Sequence, residues 1–154
     1  MRNHESATPY RNLILMLLLS FAAMYGLMYA MVDSFANVYM NLNQVYMALV
    51  MAASMGPIEL LVMRAMYADK RFNALLMAVT SAVLIVSWLL IRQQIAIGDA
   101  QFLRSMIPHH GGAILMCQEA PVSDPRITAL CRSIIESQRS EIAQMKQLLD
   151  ELRR

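Results

Sequence analysis

Three stretches of the chain hold almost nothing that favours water. They are Asn12–Val32 (NLILMLLLSFAAMYGLMYAMV), Val45–Met63 (VYMALVMAASMGPIELLVM) and Phe72–Ile91 (FNALLMAVTSAVLIVSWLLI). Each is near the ~20 apolar residues an α-helix needs to cross the hydrocarbon core of a bilayer. The first and third contain no charged residue, and the second contains only Glu59. The first run is longer than the ~7–15-residue apolar core of a signal peptide, and no small-x-small cleavage pattern follows it, so it reads as a retained helix. Beyond Ile91 the pattern changes from continuous to periodic. Asp99–Glu119 and Asp124–Leu152 read as two amphipathic helices. On the second, Ile127, Leu130, Ile134, Ile142, Met145, Leu148, Leu149 and Leu152 follow helical spacing. The segment APVSDP, Ala120–Pro125, is dense in turn formers and separates the two. Asp99 is placed to be the N-cap of the first. So short a connection predicts an antiparallel hairpin.

The expected architecture is therefore all-α. A membrane domain over residues 1–92 has three transmembrane helices, and a helical hairpin follows over residues 99–154. A lone hairpin has one apolar seam that must be buried somewhere. The expected solution is a four-helix bundle made with the hairpin of a second copy, a homo-oligomer; docking on the membrane helices is the alternative.

Composition strengthens the membrane reading. The chain is 58% hydrophobic and 16% charged, with 15 Met among its 154 residues. Soluble domains carry roughly 25% charged residues. The formal net charge of +2 gives no argument for nucleic acid. The tail from Asp99 onward has seven Lys/Arg against seven Asp/Glu, the balance of a small soluble helical domain. Basic residues also set an expected orientation. Arg2 and Arg11 precede the first span; Arg64, Lys70 and Arg71 join the second to the third; Asp33–Gln44 has neither Lys nor Arg. By the positive-inside rule the N-terminus is cytoplasmic. Three crossings then put the hairpin outside, in the periplasm if the membrane is a bacterial inner membrane. Arg92, just past the third span, runs against the rule.

The candidate chemistry lies in SMIPHHGGAILM, Ser105–Met116. Residues three, four and seven apart share a helical face. Met106, His109, His110, Ala113, Met116 and Cys117 thus form one broad stripe. Pro108 removes a backbone donor and is expected to bend the helix before the histidine pair. Gly111 and Gly112 lack side-chain bulk and would let another helix approach closely. On the second helix Gln138, Glu141 and Met145 stand at three- and four-residue steps; if the hairpin turns near Ser123, Met106 comes level with about Gln138 to Glu141, and thioethers, imidazoles, amide and carboxylate would meet near its middle. Thioether and imidazole donors together select copper, Cu(I) above all, over hard cations. The same residues are equally compatible with plain packing, since methionine is an adaptable core filler.

The tail resembles the domain of unknown function 305 family, a ferritin-like helical group with periplasmic copper-binding members. The matching residues are Asp99, Phe102, Met106, Pro108, His109, His110, Ala113 and Met116, then Gln138, Glu141, Ile142 and Met145. The resemblance implies copper ligation by Met106, His109, His110, Met116 and Met145, with Gln138 and Glu141 orienting the imidazoles from behind. Gly111 departs from the larger polar residue usual after the histidine pair. The family often has several hairpins per chain; this chain has one, which favours assembly between chains.

Cys117 and Cys131 are the only cysteines. One lies on each helix near the turn. A disulfide closing the hairpin is the expected pairing, and a pair of thiolates for Cu(I) is the alternative. Met24, Met28 and Met31 share a face of the first span, and Met47, Met51 and Met55 share one of the second, continuing toward Met63 and Met66; adaptable packing and a Cu(I) path through the membrane are the two readings. Glu59, after Gly56-Pro57, is costly at membrane depth and marks an intramembrane site unless it bonds a neighbour near the cytoplasmic face. The paired Glu-x-x-His motifs of a di-iron oxidase are missing, as are His-Glu-x-x-His, a phosphate-binding glycine loop and Gly-x-Ser-x-Gly, so no enzymatic activity is expected. The expected function is copper sequestration, delivery or resistance by a membrane-anchored periplasmic protein, with membrane lipid, the copper ion and periplasmic copper-handling proteins as partners. A non-catalytic assembly or adaptor protein is one alternative. A small copper transporter using Glu59 and the Met-lined faces is the other.

Overall fold

The structure is a computed structural model that describes residues 2–154, with side chains from Thr8 onward; Arg2, counted above among the orienting cations, has its side chain outside the described part. The chain is all-helical, with five α-helices: α1 (Arg2–Leu27), α2 (Leu42–Val62), α3 (Lys70–Gln93), α4 (Asp99–Glu119) and α5 (Pro125–Glu151). No strand occurs among the described residues. Short 3-10 turns occupy Met28–Met31, Phe35–Asn37 and Arg64–Met66. Three segments are long and apolar enough to cross a membrane, Thr8–Met31, Leu42–Val62 and Lys70–Gln93. These match the three predicted runs with shifted ends. The first span ends in a 3-10 turn rather than an α-helix, and Asp69 caps α3 by accepting from the amides of Arg71 and Phe72.

The chain forms two compact units. The first joins residues 1–27 with 43–95. Its most buried cluster, Tyr10, Leu13, Leu60 and Tyr67, gathers the start of α1, the end of α2 and the approach to α3. The Tyr10 hydroxyl donates to Asn73 Oδ1 at 2.8 Å and accepts from the Asp69 amide at 3.0 Å. Its ring stacks edge-on to Phe72 at 4.7 Å. At the other end of these helices, Asn43 and Gln94 exchange side-chain amide bonds at 3.1 and 3.2 Å. Between the two ends α2 and α3 come close at Gly56, where an added Cβ would lie 2.7 Å from Thr80 Cγ2.

The second unit joins residues 28–42 with 96–154. The connection after the first span is thus part of the hairpin's unit. α4 and α5 pack as a hairpin around Leu103, Ile107, Ile114, Ile142, Met145 and Leu149, with Tyr39, Ala100 and Met106 packed against them. Ile107, Ile114 and Leu149 are fully buried, and each such side chain stabilises by ~1.5–3 kcal/mol relative to exposure. Asp124 caps α5 through the Arg126 amide. The cap of α4 is Gly98, not Asp99, which sits one residue inside the helix and meets its positive N-terminal end there. α4 continues unbroken through Pro108.

The seam read from sequence is only half buried. Ile142, Met145 and Leu149 face the core, whereas Ile127, Leu130, Leu148 and Leu152 remain exposed. Part of what covers α4 comes from within the chain. The 28–42 segment crosses it at Gly111 and Gly112, where an added Cβ would lie 2.5 Å from Asp33 Oδ1 and 3.4 Å from the Met31 carbonyl oxygen. Asn41 Nδ2 donates to the Arg104 carbonyl at 3.4 Å, and the Leu42 amide donates to Gln101 Oε1 at 3.1 Å. The glycine pair thus admits a loop rather than another helix.

Candidate metal centre on the hairpin

Helical geometry brings His110 to the face of α4 that looks at α5, and His110 is 7% exposed. Its Nδ1 lies 2.9 Å from the Met106 carbonyl oxygen, one turn back on the same helix. Its Nε2 lies 2.6 Å from Glu141 Oε2 across the hairpin. A carbonyl only accepts, so Nδ1 carries a proton. Glu141 also accepts from the Ser137 hydroxyl at 2.6 Å. That bond first, and the His110 contact second, hold its carboxyl below the ordinary range. Both ring nitrogens of His110 thus have partners.

The two histidines diverge. His109 is exposed, with its ring centroid 6.0 Å from that of His110 and its plane turned by 62°. Met145 is buried in the core cluster of the hairpin, and Met106 packs against that cluster. Met116 is 54% exposed, two turns along α4 from His109 and on the same open side. The expected ligand set is therefore split. His110 is buried and bonded to Glu141, Met145 is buried and Met106 is half-buried on the same hairpin, whereas His109 and Met116 are exposed. Gln138 is half-buried one turn before Glu141. Among the described residues no group of three or more His, Cys, Asp or Glu converges, so any soft-metal set here depends on thioethers.

Cys117, near the end of α4, and Cys131, near the start of α5, are half-buried free thiols. A hydrogen bond with Cys131, followed by burial, pushes the Cys117 thiol up. Sequence places them level and points first to a disulfide; in the structure the two thiols are unbonded. Glu59 accepts a bond from the Tyr67 hydroxyl at 3.1 Å. Tyr67 lies just past the end of the second span; burial, then this bond, pushes its phenol up. Glu59 thus has a neighbour on the connection that sequence assigns to the cytoplasmic side.

Sequence reading missed Asp33 and Asn37. Asn37 is buried and donates from Nδ2 to Asp33 Oδ1 at 2.7 Å, directly over Gly111. The signal lay in the DSFAN segment, a polar cluster directly after an apolar span, whose partner lies far along the chain.

Residues 90–149 match the family described as domain of unknown function DUF305. Over 142 residues the chain is 35% identical to an uncharacterized protein of Acanthamoeba polyphaga mimivirus, a match spanning 90% of this chain and 91% of that one. The viral protein is thus similar through the apolar spans as well as the hairpin. No solved structure matches.

Proposed function

The chain belongs to the domain of unknown function 305 family, and from that premise we propose that it is a membrane-anchored protein that binds Cu(I) on its helical hairpin, for sequestration or hand-over. The observation that carries this is the anchoring of His110 Nδ1 on the Met106 carbonyl. A metal-binding histidine commonly donates its other ring N–H to a backbone carbonyl, which fixes the ring and its tautomer. Here that bond aims Nε2 across the hairpin at Glu141, between the elements that carry Met106 and Met145. A rotation of Glu141 would free Nε2 on a hairpin that also carries the Met106 and Met145 thioethers, a donor set suited to Cu(I). Glu141 would then hold the imidazole when metal is absent and release it when metal arrives. His109 and Met116, on the open side, suit a transient contact that passes the ion to a partner protein. The charge pattern supports a cytoplasmic N-terminus, which in a bacterial inner membrane puts the hairpin in the periplasm.

The test is a Cu(I) titration of the full chain in detergent micelles, without oxygen, against a chromogenic Cu(I) chelator. His110→Ala is expected to weaken binding more than about tenfold, the usual scale for removing even an orienting partner. His109→Ala should spare affinity and slow transfer to a soluble Cu(I) acceptor. If the paired His109→Ala and His110→Ala change leaves affinity intact, the ligand assignment is wrong.

A second reading has its own observation. Both nitrogens of His110 are already satisfied, and Phe102, Met116, Ile127, Leu130, Leu148 and Leu152 are exposed on the hairpin. Phe102, Leu148 and Leu152 line a cleft of about 400 Å³ at its open end. On this reading the His110–Glu141 pair locks the hairpin, and the apolar surface serves assembly with a second copy. Unaltered Cu(I) affinity together with dissociation of an oligomer in His110→Ala would favour it.

A further inference from the structure

We infer that one flank of the hairpin is a docking surface for the headgroups of an anionic membrane, so that the hairpin lies along the bilayer rather than standing away from it. Arg132, Arg139 and Lys146 on α5, and Arg153 just past its end, follow one another in steps of seven residues. Seven-residue steps drift by only about 20° each on a straight helix, so the four form one stripe about 32 Å long. Arg132 and Arg139 are exposed and Lys146 is half-buried. No ion pair engages these three among the described residues, and Arg153 meets Asp150 at 3.7 Å. Glu136 and Asp150 are the acidic residues on this flank of α5, so four basic side chains stand against two carboxylates and the charge is unbalanced.

The stripe shares its side of the hairpin with the two points where the chain meets lipid. Ile142, Met145 and Leu149 face the core shared with α4. The stripe stands about a quarter turn to one side of them, and Leu130 and Leu148 about a quarter turn to the other. Leu148 and Leu152 line one cleft with Phe102, so the Phe102 flank of α4 lies on the side away from the stripe. The opposite flank of α4 carries the 28–42 segment, which therefore lies on the stripe's side. That segment begins in the last turn of the Thr8–Met31 span and ends on Leu42, the first residue of the Leu42–Val62 span. Leu42 is bonded to Gln101, and the Met31 carbonyl stands 3.4 Å from where a Cβ on Gly112 would be. Two exits at one membrane depth, about 16 Å apart along α4, require that helix to run along the surface. The antiparallel α5 then runs along it too, with its stripe toward the lipid. An anionic headgroup supplies the missing negative charge there, and each basic residue near such a surface strengthens the attraction roughly fivefold. The inference rests on the membrane anchoring in the proposed function and owes nothing to copper.

The test places the full chain in nanodiscs of phosphatidylcholine, with phosphatidylglycerol added in one set, each holding a trace of lipid with a nitroxide on its headgroup. Co-elution of chain and discs reads the anchoring separately; a chain that does not co-elute refutes the anchoring itself. Nuclear magnetic resonance then reads each flank. In the anionic discs the Arg132 and Arg139 side-chain N–H groups are expected to relax at least about fivefold faster through the nitroxide than the Leu130 and Leu148 methyl groups, which lie across a helix about 10 Å wide. Added salt should weaken the contrast, because it screens charges at the surface. Arg132→Gln, Arg139→Gln and Lys146→Gln together should abolish the difference between the two lipid compositions, whereas Arg126→Gln, off the stripe, should leave it. Equal relaxation of the two flanks in anionic discs overturns the inference, as does faster relaxation of Leu130 and Leu148. So does a lipid dependence that survives the three changes, or a shift of the Arg132 and Arg139 signals by a soluble acidic polymer and not by phosphatidylglycerol. The comparison of lipids needs no variant, so a poorly folded glutamine protein does not leave the question open.

Discussion

Gly111→Ala offers a sharp test of how the second unit is built, because its neighbour Gly112 is the control. A Cβ on residue 111 would lie 2.5 Å from Asp33 Oδ1 and 3.1 Å from Val32 Cγ1. The carboxylate must move. It is held by Asn37 Nδ2 at 2.7 Å, and Asn37 is 7% exposed. Displacing Asp33 strands a buried amide donor, at a cost of ~1–3 kcal/mol. Replacing glycine by alanine inside a helix returns about 1 kcal/mol. The net expectation is a loss of about 1 kcal/mol, roughly a fivefold shift in the local opening equilibrium. On residue 112 the added atom meets only the Met31 carbonyl at 3.4 Å, an ordinary contact. There the helix gain of about 1 kcal/mol should survive. The two variants should therefore differ by ~2 kcal/mol, roughly 30-fold, with opposite signs. Hydrogen exchange reads this directly. The amides of Asn37 and Val38 bond to the Ser34 and Phe35 carbonyls at 2.9 and 3.1 Å. They should exchange faster in Gly111→Ala and slower in Gly112→Ala. In an Asp33→Ala background, Gly111→Ala should no longer accelerate exchange. If both glycine variants slow exchange alike, the 28–42 segment does not rest on the glycine pair as described.

Ile114, 1% exposed, should cost ~2–5 kcal/mol on truncation to Ala. Leu130, 57% exposed, should cost no more than ~0.5 kcal/mol in the monomer, yet weaken any self-association measured by sedimentation. For Glu141 the folded-state pKa lies below the ordinary value of 4.5, held there by the Ser137 hydroxyl and then by His110. A depressed carboxyl contributes stability that is present above 4.5 and is lost as pH falls through its lower folded value. Melts followed by circular dichroism should show acid destabilisation that Glu141→Gln blunts; an equal acid loss in that variant would assign it to other carboxyls. Glu59→Gln keeps an oxygen for the Tyr67 hydroxyl and should leave stability near normal, whereas Glu59→Leu strands a phenol that is 5% exposed and should cost ~1–3 kcal/mol in thermal melts in micelles. Copper flux into vesicles that is unchanged in Glu59→Gln removes that residue from any transport path.

The spans and the hairpin were legible because each rests on a local pattern: continuous apolar runs, or a 3.6-residue period interrupted by APVSDP. Counting turns back from Ser123 brings Glu141 level with Met106, whereas the structure pairs Glu141 with His110, one turn further along α4. The split between His110 and His109 did not follow. Adjacent residues on a helix lie about 100° apart, so where one ring faces a partner helix the next faces away; a broad stripe on one helix says nothing about where the partner's edge falls. The half-exposed seam has the same origin. Ile127 and Leu130 satisfy the period, but α4 covers α5 chiefly through Ile142, Met145 and Leu149. The partner of Gly111 was illegible for another reason. Asp33 and Asn37 lie on the far side of two apolar spans in sequence, and only tertiary structure returns them to the hairpin.

That return bears on how the hairpin can be studied. The chain passes between the two units three times, after Leu27, after Leu42 and after Ile95. The hairpin is thus not a module on one tether. Cutting out residues 99–154 would remove Tyr39 from the core cluster, the Asn41 bond to the Arg104 carbonyl, and the cover over Gly111 and Gly112. Bare backbone would then face water one residue from His110. The isolated hairpin should show faster amide exchange from Leu103 to Ile114 than the full chain, and a stronger tendency to self-associate through the uncovered face. Its Cu(I) affinity would then report an altered His110 environment. Equal protection of these amides in the two forms, at a dilution where the fragment is monomeric, would show that residues 28–42 rest on the hairpin without stabilising it.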